Sequence, residues 1–156
     1  SKAEMQLVVL GSGDYEYESY FRWIAEKYPD KVGLRLGFVP DLARKIYAGA
    51  DMFIMPSKSE PCGLSQMVAL RYGSIPVVRE TGGLKDSITD SGDGKGNGFT
   101  FKSYNAHDML DAIRRALTPY YNGDWNELVL RALNCDFSWG RSANAYIRLY
   151  KEILKG

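Results

Sequence analysis

Apolar residues along the chain alternate between short, nearly continuous runs and longer stretches in which they recur every three to four positions. The runs predict strands, beginning with a buried one, at residues 5–10, 32–36, 52–55, 75–78 and 99–101. The periodic stretches predict helices at residues 14–28, 41–49, 63–72, 106–117, 124–133 and 138–154, with a short segment at 84–88. Strands alternating with helices are typical of right-handed crossovers in a parallel sheet. We therefore predict one α/β domain, a doubly wound parallel sheet with helices on both faces.

Composition excludes several classes of protein. The 156 residues include 20 Lys and Arg against 19 Asp and Glu, a net charge of +1, so neither nucleic acid nor a membrane surface is an expected partner. No apolar run approaches the roughly 18–20 residues of a membrane-spanning helix, and we expect a cytoplasmic protein. Two cysteines, Cys62 and Cys135, and the single His107 lack the spacing of a zinc site. Neither a metal nor a cofactor is expected.

The loops that follow the strands are the candidate sites, because ligands of parallel sheets bind at the carboxyl ends of the strands. The first loop, GSGD at residues 11–14, begins like a dinucleotide-binding fingerprint. Glu16 occupies the place of its third glycine, so a plain turn is favoured over a phosphate site.

The loop after the third strand, SKSEPCGLSQ at residues 57–66, is more informative. Its predicted helix starts with free N–H groups at about Gly63, Leu64 and Ser65, and together with the helix dipole these favour an anion such as a diphosphate. Phosphate would repel the carboxylate of Glu60, which is therefore expected to accept hydrogen bonds from a neutral, hydroxyl-rich group. The alternative is that Glu60 only complements the helix dipole as part of a cap.

Several segments resemble the carboxyl-terminal domain of bacterial glycogen synthases and plant starch synthases. The resemblance covers nearly the whole chain through SKSEPCGLSQ at residues 57–66, RYGSIPVV at 71–78, TGGLKD at 81–86, GF at 37–38, AGAD at 48–51 and FSW at 137–139. It implies one half of the GT-B fold, in which two Rossmann-like domains face each other across a cleft. It also implies transfer of glucose from ADP-glucose to the non-reducing end of an α-1,4-glucan, with retention of configuration.

The same resemblance implies roles for individual residues of the loop. Glu60 would hold hydroxyls of the donor glucose and favour the positive charge that develops at the anomeric carbon. Backbone groups of Cys62 and Gly63 would contact the sugar. Leu64 and Ser65 would meet the diphosphate at the start of the helix.

Further implications concern the adenine and the missing half of the site. Gly37 and Phe38 would line the adenine, and Ser57 would shape the pocket. Val68 stands where related retaining transferases often have a second glutamate, an acid that glycogen synthases usually lack as well. The family's diphosphate-binding Arg and Lys, a histidine and the acceptor groove would precede this chain, so residues 1–156 alone are expected to be essentially inactive.

Other notable residues favour structural roles. We expect Cys62 to be a packed side chain that offers its backbone, not a nucleophile. Arg114 and Arg115 are expected on a solvated helix face. The three tryptophans are expected in the core or between helices and not as sugar platforms: Trp23, Trp125 and Trp139.

Three questions stay open from the residues alone. TGGL at residues 81–84 either directs N–H groups toward a ligand or forms a turn that the fold requires. The donor is ADP-glucose by resemblance, with a UDP- or GDP-sugar as the alternative. A non-catalytic domain that binds glucan or a protein partner through its helical carboxyl terminus is a further alternative.

Overall fold

The computed structural model describes residues 4–155. Its strands are β1 (Leu7–Gly11), β2 (Val32–Leu36), β3 (Met52–Met55), β4 (Ile75–Arg79) and β5 (Phe99–Phe101). Its helices are α1 (Tyr15–Lys27), α2 (Pro40–Gly49), α3 (Ser65–Tyr72), α4 (Gly82–Ser87), α5 (Ala106–Asn122), α6 (Trp125–Leu133) and α7 (Trp139–Ile153). The predicted order of strands and helices is confirmed.

The named strands pair in parallel, which confirms the predicted α/β class. β1 pairs with β2, with Leu7 opposite Val32. β4 lies between β3 and β5, with Met52 opposite Ile75 and Val77 opposite Phe99. These pairings form a two-stranded sheet and a three-stranded sheet. The chain correspondingly divides into a first unit that ends at Gly49 and a second unit that begins at Ala50.

The buried apolar core lies in the second unit and surrounds β4. Residues 75–78 of β4 are fully buried. Side chains from the neighbouring elements complete the core, among them Leu70, Leu84, Phe99, Ala112 and Leu128. Full burial of one such leucine contributes about 1.5–3 kcal/mol. The core therefore provides a rigid support for the loops that follow β3 and β4.

The first unit is less buried than the sequence predicts. Leu7 and Val8 of β1 are 40% and 55% exposed, so the prediction of a buried first strand is wrong. The described residues of this unit include no fully buried side chain. The reason is geometric, because two strands with α1 packed against β2 cover less apolar surface than a central strand flanked on both edges.

Two helix boundaries differ from the prediction. α3 begins at Ser65, two residues later than expected, because Gly63 has a φ of +73° and cannot belong to a right-handed helix. α5 continues to Asn122, five residues beyond the predicted end. Pro119 lies inside it, where the ring removes one N–H donor without ending the helix.

α7 is the most exposed helix of the second unit. Its described side chains include no buried one, and Trp139 is 87% exposed, so the prediction that this tryptophan packs in the core or between helices is wrong. Within residues 4–155, no helix combines the length and apolar character needed to cross a bilayer. The same part of the chain contains no group of three or more His, Cys, Asp or Glu side chains that could hold a metal ion.

Candidate functional site

The segment at residues 57–66 connects the end of β3 to α3 and is held in place by an arginine of the adjacent strand. Arg79, the last residue of β4, donates from Nε to the carbonyl of Ser57 at 2.9 Å and from Nη2 to the carbonyl of Lys58. Its guanidinium also lies over the ring of Tyr104, 5.7 Å from the centroid. Hydrogen bonds to charged groups contribute about 1.5–3 kcal/mol each. Arg79 therefore fixes the backbone that leads to Glu60.

Glu60 lies in the middle of this segment with its carboxylate partly buried. The carboxylate Oε2 accepts a hydrogen bond from the Ser57 hydroxyl at 3.4 Å, and the backbone carbonyl accepts one from Gly83 N–H at 3.1 Å. Among residues 4–155, ion pairs form at other carboxylates. The Glu60 carboxylate thus keeps acceptor capacity for hydroxyl groups of a ligand.

The start of α3 differs from the predicted anion site by two residues. Leu64 is the N-cap, and no side chain caps the helix. The first helical hydrogen bond runs from Val68 N–H to the Leu64 carbonyl, so the free N–H groups belong to residues 64–67, and two of the three predicted donors, Leu64 and Ser65, are among them. The alternative in which Glu60 caps the helix is not supported, because its carboxylate accepts no hydrogen bond from α3. An uncapped helix N-terminus is a favourable position for an anion.

The exposure of the other predicted residues varies. Cys62 is exposed, so the prediction of a packed side chain is wrong, although its carbonyl does take part in a hydrogen bond, with Gln66 Nε2. In the first unit, Gly37 donates its N–H to the Gly11 carbonyl at 2.9 Å. Phe38 is 92% exposed, so its ring is not packed among the described residues. The structure thus brings six predicted residues together in one segment and places Gly37 and Phe38 after β2.

In the loop at residues 11–14, an N–H group that could bind a phosphate already donates to a side chain of the protein. Gly13 N–H donates to Glu18 Oε1 at 3.0 Å. A carboxylate therefore occupies this position, and a second anion would be repelled by it. The plain turn remains the better interpretation of residues 11–14.

Gly82 and Gly83 lie directly against the Glu60 segment. A Cβ atom on Gly82 would be 2.1 Å from the Glu60 carbonyl oxygen, and one on Gly83 would be 1.8 Å from the Cys62 carbonyl oxygen. Gly83 N–H is already bonded to Glu60, and Leu84 N–H to Thr81. The TGGL sequence is therefore a turn that the fold requires, since these N–H groups serve the protein itself.

Substituting Gly83 with alanine should destabilise the second unit by about 1–3 kcal/mol, because the new methyl group displaces a backbone carbonyl. Urea unfolding measures this change. Gly140→Ala in α7 is the matched control, since its Cβ would meet only Ser138 Oγ at 3.6 Å, an ordinary contact. A Gly83→Ala protein as stable as the Gly140→Ala protein would contradict the close approach.

Away from the segment, Arg115 forms a well-defined ion pair. Its Nη1 donates to both carboxylate oxygens of Asp90, at 2.8 and 3.0 Å, and its Nη2 to the Thr100 carbonyl at 2.6 Å. Burial alone would raise the pKa of the Asp90 carboxyl, but hydrogen bonds from Arg115, Thr100 and Gly92 outweigh burial and lower this pKa. The prediction of a solvated helix face is confirmed for Arg114, which is exposed, whereas Arg115 is only partly exposed and is bound to Asp90.

Sequence reasoning assigned no role to Arg79, Gln66 or Ser87, which the structure places around the segment. Arg79 could have been singled out from the sequence, because it is a polar residue at the carboxyl end of a buried strand. Glu60 has a similar position, in the loop that follows β3. Gln66 is buried four positions before Leu70, on the core face of α3. Ser87 carries no signal in the sequence.

Comparison with known proteins identifies the family. Residues 1–122 match the family model described as "Glycosyl transferases group 1". The chain belongs to this family. This group 1 glycosyltransferase chain is 52% identical over 155 residues to the glycogen synthase of Bacillus cereus and 55% identical over 155 residues to that of Geobacillus thermodenitrificans. Each match covers 97% of the chain but only 33% and 32% of the relatives, so the chain spans about a third of their length.

A solved structure agrees with these relatives. The catalytic domain of starch synthase IV from Arabidopsis thaliana, bound to ADP and acarbose, matches the group 1 glycosyltransferase chain with a TM-score of 0.82 and 40% identity. The match covers 97% of this chain and 33% of the plant chain. The resemblance to glycogen and starch synthases is therefore confirmed, and with it the expected fold.

Proposed function

We propose that the chain is the donor-binding part of a glycogen or starch synthase, which transfers glucose from ADP-glucose to the non-reducing end of an α-1,4-glucan with retention of configuration. The observation that carries the proposal is the position of Glu60, a carboxylate without an ion-pair partner among residues 4–155, four residues before the N-cap of an uncapped helix. Glycogen synthases among the relatives, and a starch synthase bound to ADP and acarbose, support it.

The proposed diphosphate position is the N-terminus of α3. Leu64 is the N-cap and Ser65 the first residue of the helix, and their free N–H groups together with the helix dipole attract negative charge. No acidic residue lies in the first turn of α3 to oppose an anion. A leaving diphosphate develops negative charge during transfer, so this helix end stabilises the transition state more than the bound donor.

The proposed glucose position is next to Glu60. Its carboxylate accepts hydrogen bonds from sugar hydroxyls and stabilises the positive charge that develops at the anomeric carbon. The Ser57 hydroxyl, 3.4 Å from Oε2, orients the carboxylate. The backbone of Cys62 and Gly63 completes the sugar contact, and Gly63 lets the chain approach a ligand closely.

The proposed adenine contact involves Gly37 and Phe38. Phe38→Ala should weaken ADP binding by about 1 kcal/mol, roughly fivefold in Kd, because the adenine would lose the exposed ring on which it is proposed to stack. Calorimetric titration with ADP measures the change. Tyr121→Ala removes another exposed aromatic side chain, on α5, and serves as the control. If the Phe38→Ala and Tyr121→Ala proteins bind ADP with the same Kd, Phe38 does not contact the nucleotide.

One titration series tests the proposal against its rivals. ADP and ADP-glucose should bind more tightly than UDP, GDP and their glucose conjugates. A preference for a uridine or guanosine nucleotide would assign the domain to another donor. Glucan binding without binding of any nucleotide would make it a carbohydrate- or partner-binding domain. A cytoplasmic location also stays a prediction.

A further inference from the structure

We propose that Gln66 is a positioning residue for catalysis, whose buried side-chain amide, together with the hydroxyl of Ser87, fixes the segment that carries Glu60. This inference rests on the proposed function, because it concerns the step in which Glu60 acts. Gln66 itself is fully buried, at 0% exposure, and touches neither of the proposed ligand groups through its side chain. It acts through the backbone of the segment.

The amide nitrogen of Gln66 binds the segment directly. Nε2 lies 3.0 Å from the Gly63 carbonyl oxygen and 3.4 Å from the Cys62 carbonyl oxygen. It also lies 3.1 Å from Ser87 Oγ, at the end of α4. The side chain of Gln66 thus connects the backbone of Cys62 and Gly63, which is the proposed sugar contact, to helix α4.

Ser87 continues this connection back to Glu60. Its hydroxyl donates to the Gly83 carbonyl at 2.6 Å and accepts from Gln66. Gly83 in turn donates its N–H to the Glu60 carbonyl at 3.1 Å. The hydrogen bonds form a series from Gly63 through Gln66, Ser87 and Gly83 to Glu60, so both ends of the series lie on the segment.

Packing brings Gln66 and Glu60 to the same point. A Cβ on Gly63 would lie 2.6 Å from Gln66 Oε1 and 3.1 Å from Glu60 Cγ. The side chains of Gln66 and Glu60 thus lie on the same side of Gly63 and fill the space that a Cβ would take, so a shift of the Gln66 side chain is expected to reach Glu60. Such shifts are costly to catalysis, since misplacing a group by about 1 Å can cost about 10²-fold in rate.

Core stability alone does not account for this amide. Oε1 of Gln66 is buried and has no hydrogen-bond partner among the described residues, and an unsatisfied buried acceptor costs free energy. Methionine has nearly the same shape without an unpaired acceptor, but it has no N–H to donate to the Gly63 and Cys62 carbonyls. The amide is therefore explained by the two carbonyls of the proposed site that it holds, and so by the position it gives to the segment.

The test uses the full-length protein that carries this chain, with glucan as acceptor. Gln66→Met and Ser87→Ala should each lower kcat about tenfold and leave the Kd for ADP within about twofold, because the N–H groups of α3 are unchanged. Ser87→Thr keeps the hydroxyl and should retain most of the activity. Ser74→Ala is the control, since Ser74 Oγ is also buried and has no partner within residues 4–155, but it precedes β4 at the other end of α3.

Amide hydrogen exchange on the same proteins gives a second readout that does not depend on activity. Ser87→Ala should speed exchange of Gly83 N–H, whose acceptor is Glu60, while Ser74→Ala leaves it unchanged. Wild-type kcat in folded Gln66→Met and Ser87→Ala proteins would overturn the inference. So would a Ser87→Thr protein as impaired as Ser87→Ala, or unchanged exchange at Gly83. A wild-type protein that binds no ADP refutes the proposed function instead, and the exchange result still decides whether the hydrogen bonds through Ser87 and Gly83 hold the segment.

Discussion

Replacing Glu60 with glutamine should lower kcat for glucose transfer by about 10²–10³-fold, the range found when a charge-stabilising group is removed from an active site. Glutamine keeps the size of the side chain and can still accept the hydrogen bond from Ser57. It cannot supply the negative charge that favours positive charge at the anomeric carbon. The Kd for ADP should change by less than about threefold, because the nucleotide contacts lie elsewhere.

Steady-state transfer of glucose to glycogen measures kcat, and calorimetric titration with ADP measures Kd. Ser59→Ala is the matched control, since Ser59 is exposed in the same segment and its hydroxyl forms no hydrogen bond with the described residues. It should behave as wild type in both assays. A Glu60→Gln protein that folds normally and transfers within a few-fold of wild type would show that Glu60 has no part in the chemistry.

The second large effect concerns the chain by itself. Residues 1–156 alone should incorporate glucose into glycogen at least about 10³-fold more slowly than the full-length protein. The chain spans about a third of its glycogen synthase relatives, and we propose that the remaining length supplies cations for the diphosphate and the acceptor groove. Loss of acceptor positioning alone can remove several kcal/mol of barrier reduction.

Incorporation of labelled glucose measures this, with circular dichroism to show that the chain is folded. Weak ADP binding should persist through the N-terminus of α3 and the exposed ring of Phe38. Addition of the full-length Glu60→Gln protein should not restore activity to the chain, because the two halves act on one bound donor. Incorporation near that of the full-length protein would contradict an active site divided between two domains.

The sequence predicted the elements well, because hydrophobic periodicity is a local property that each strand and helix carries in its own residues. Element ends were less accurate where one residue decides them. Gly63 adopts a positive φ, and α3 therefore begins at Ser65, which moves the free N–H groups toward Met67. No hydrophobic pattern contains that information.

Partners that are distant in sequence were not predictable. Arg115 has Asp111 one turn before it, a pair that the sequence does show, but its closer partner Asp90 precedes it by 25 residues. The contact of Gly83 with the Cys62 carbonyl likewise depends on how two loops meet. The Glu60 segment was found because its residue types carry chemistry, whereas its supports, Gln66 and Ser87, are ordinary polar residues whose role depends on burial.

The attachments of the Glu60 segment have one property in common, which is that they end on backbone carbonyl oxygens of the segment. Arg79 donates to the carbonyls of Ser57 and Lys58, Gln66 to those of Cys62 and Gly63, and Gly83 to that of Glu60. The bonds through Gln66, Ser87 and Gly83 join amide, hydroxyl and backbone groups only. Exchanging a side chain of the segment therefore leaves these acceptors in place, and the backbone that carries Glu60 keeps its shape. Loss of transfer after such an exchange would then report the chemistry of the replaced side chain and not the loss of its support.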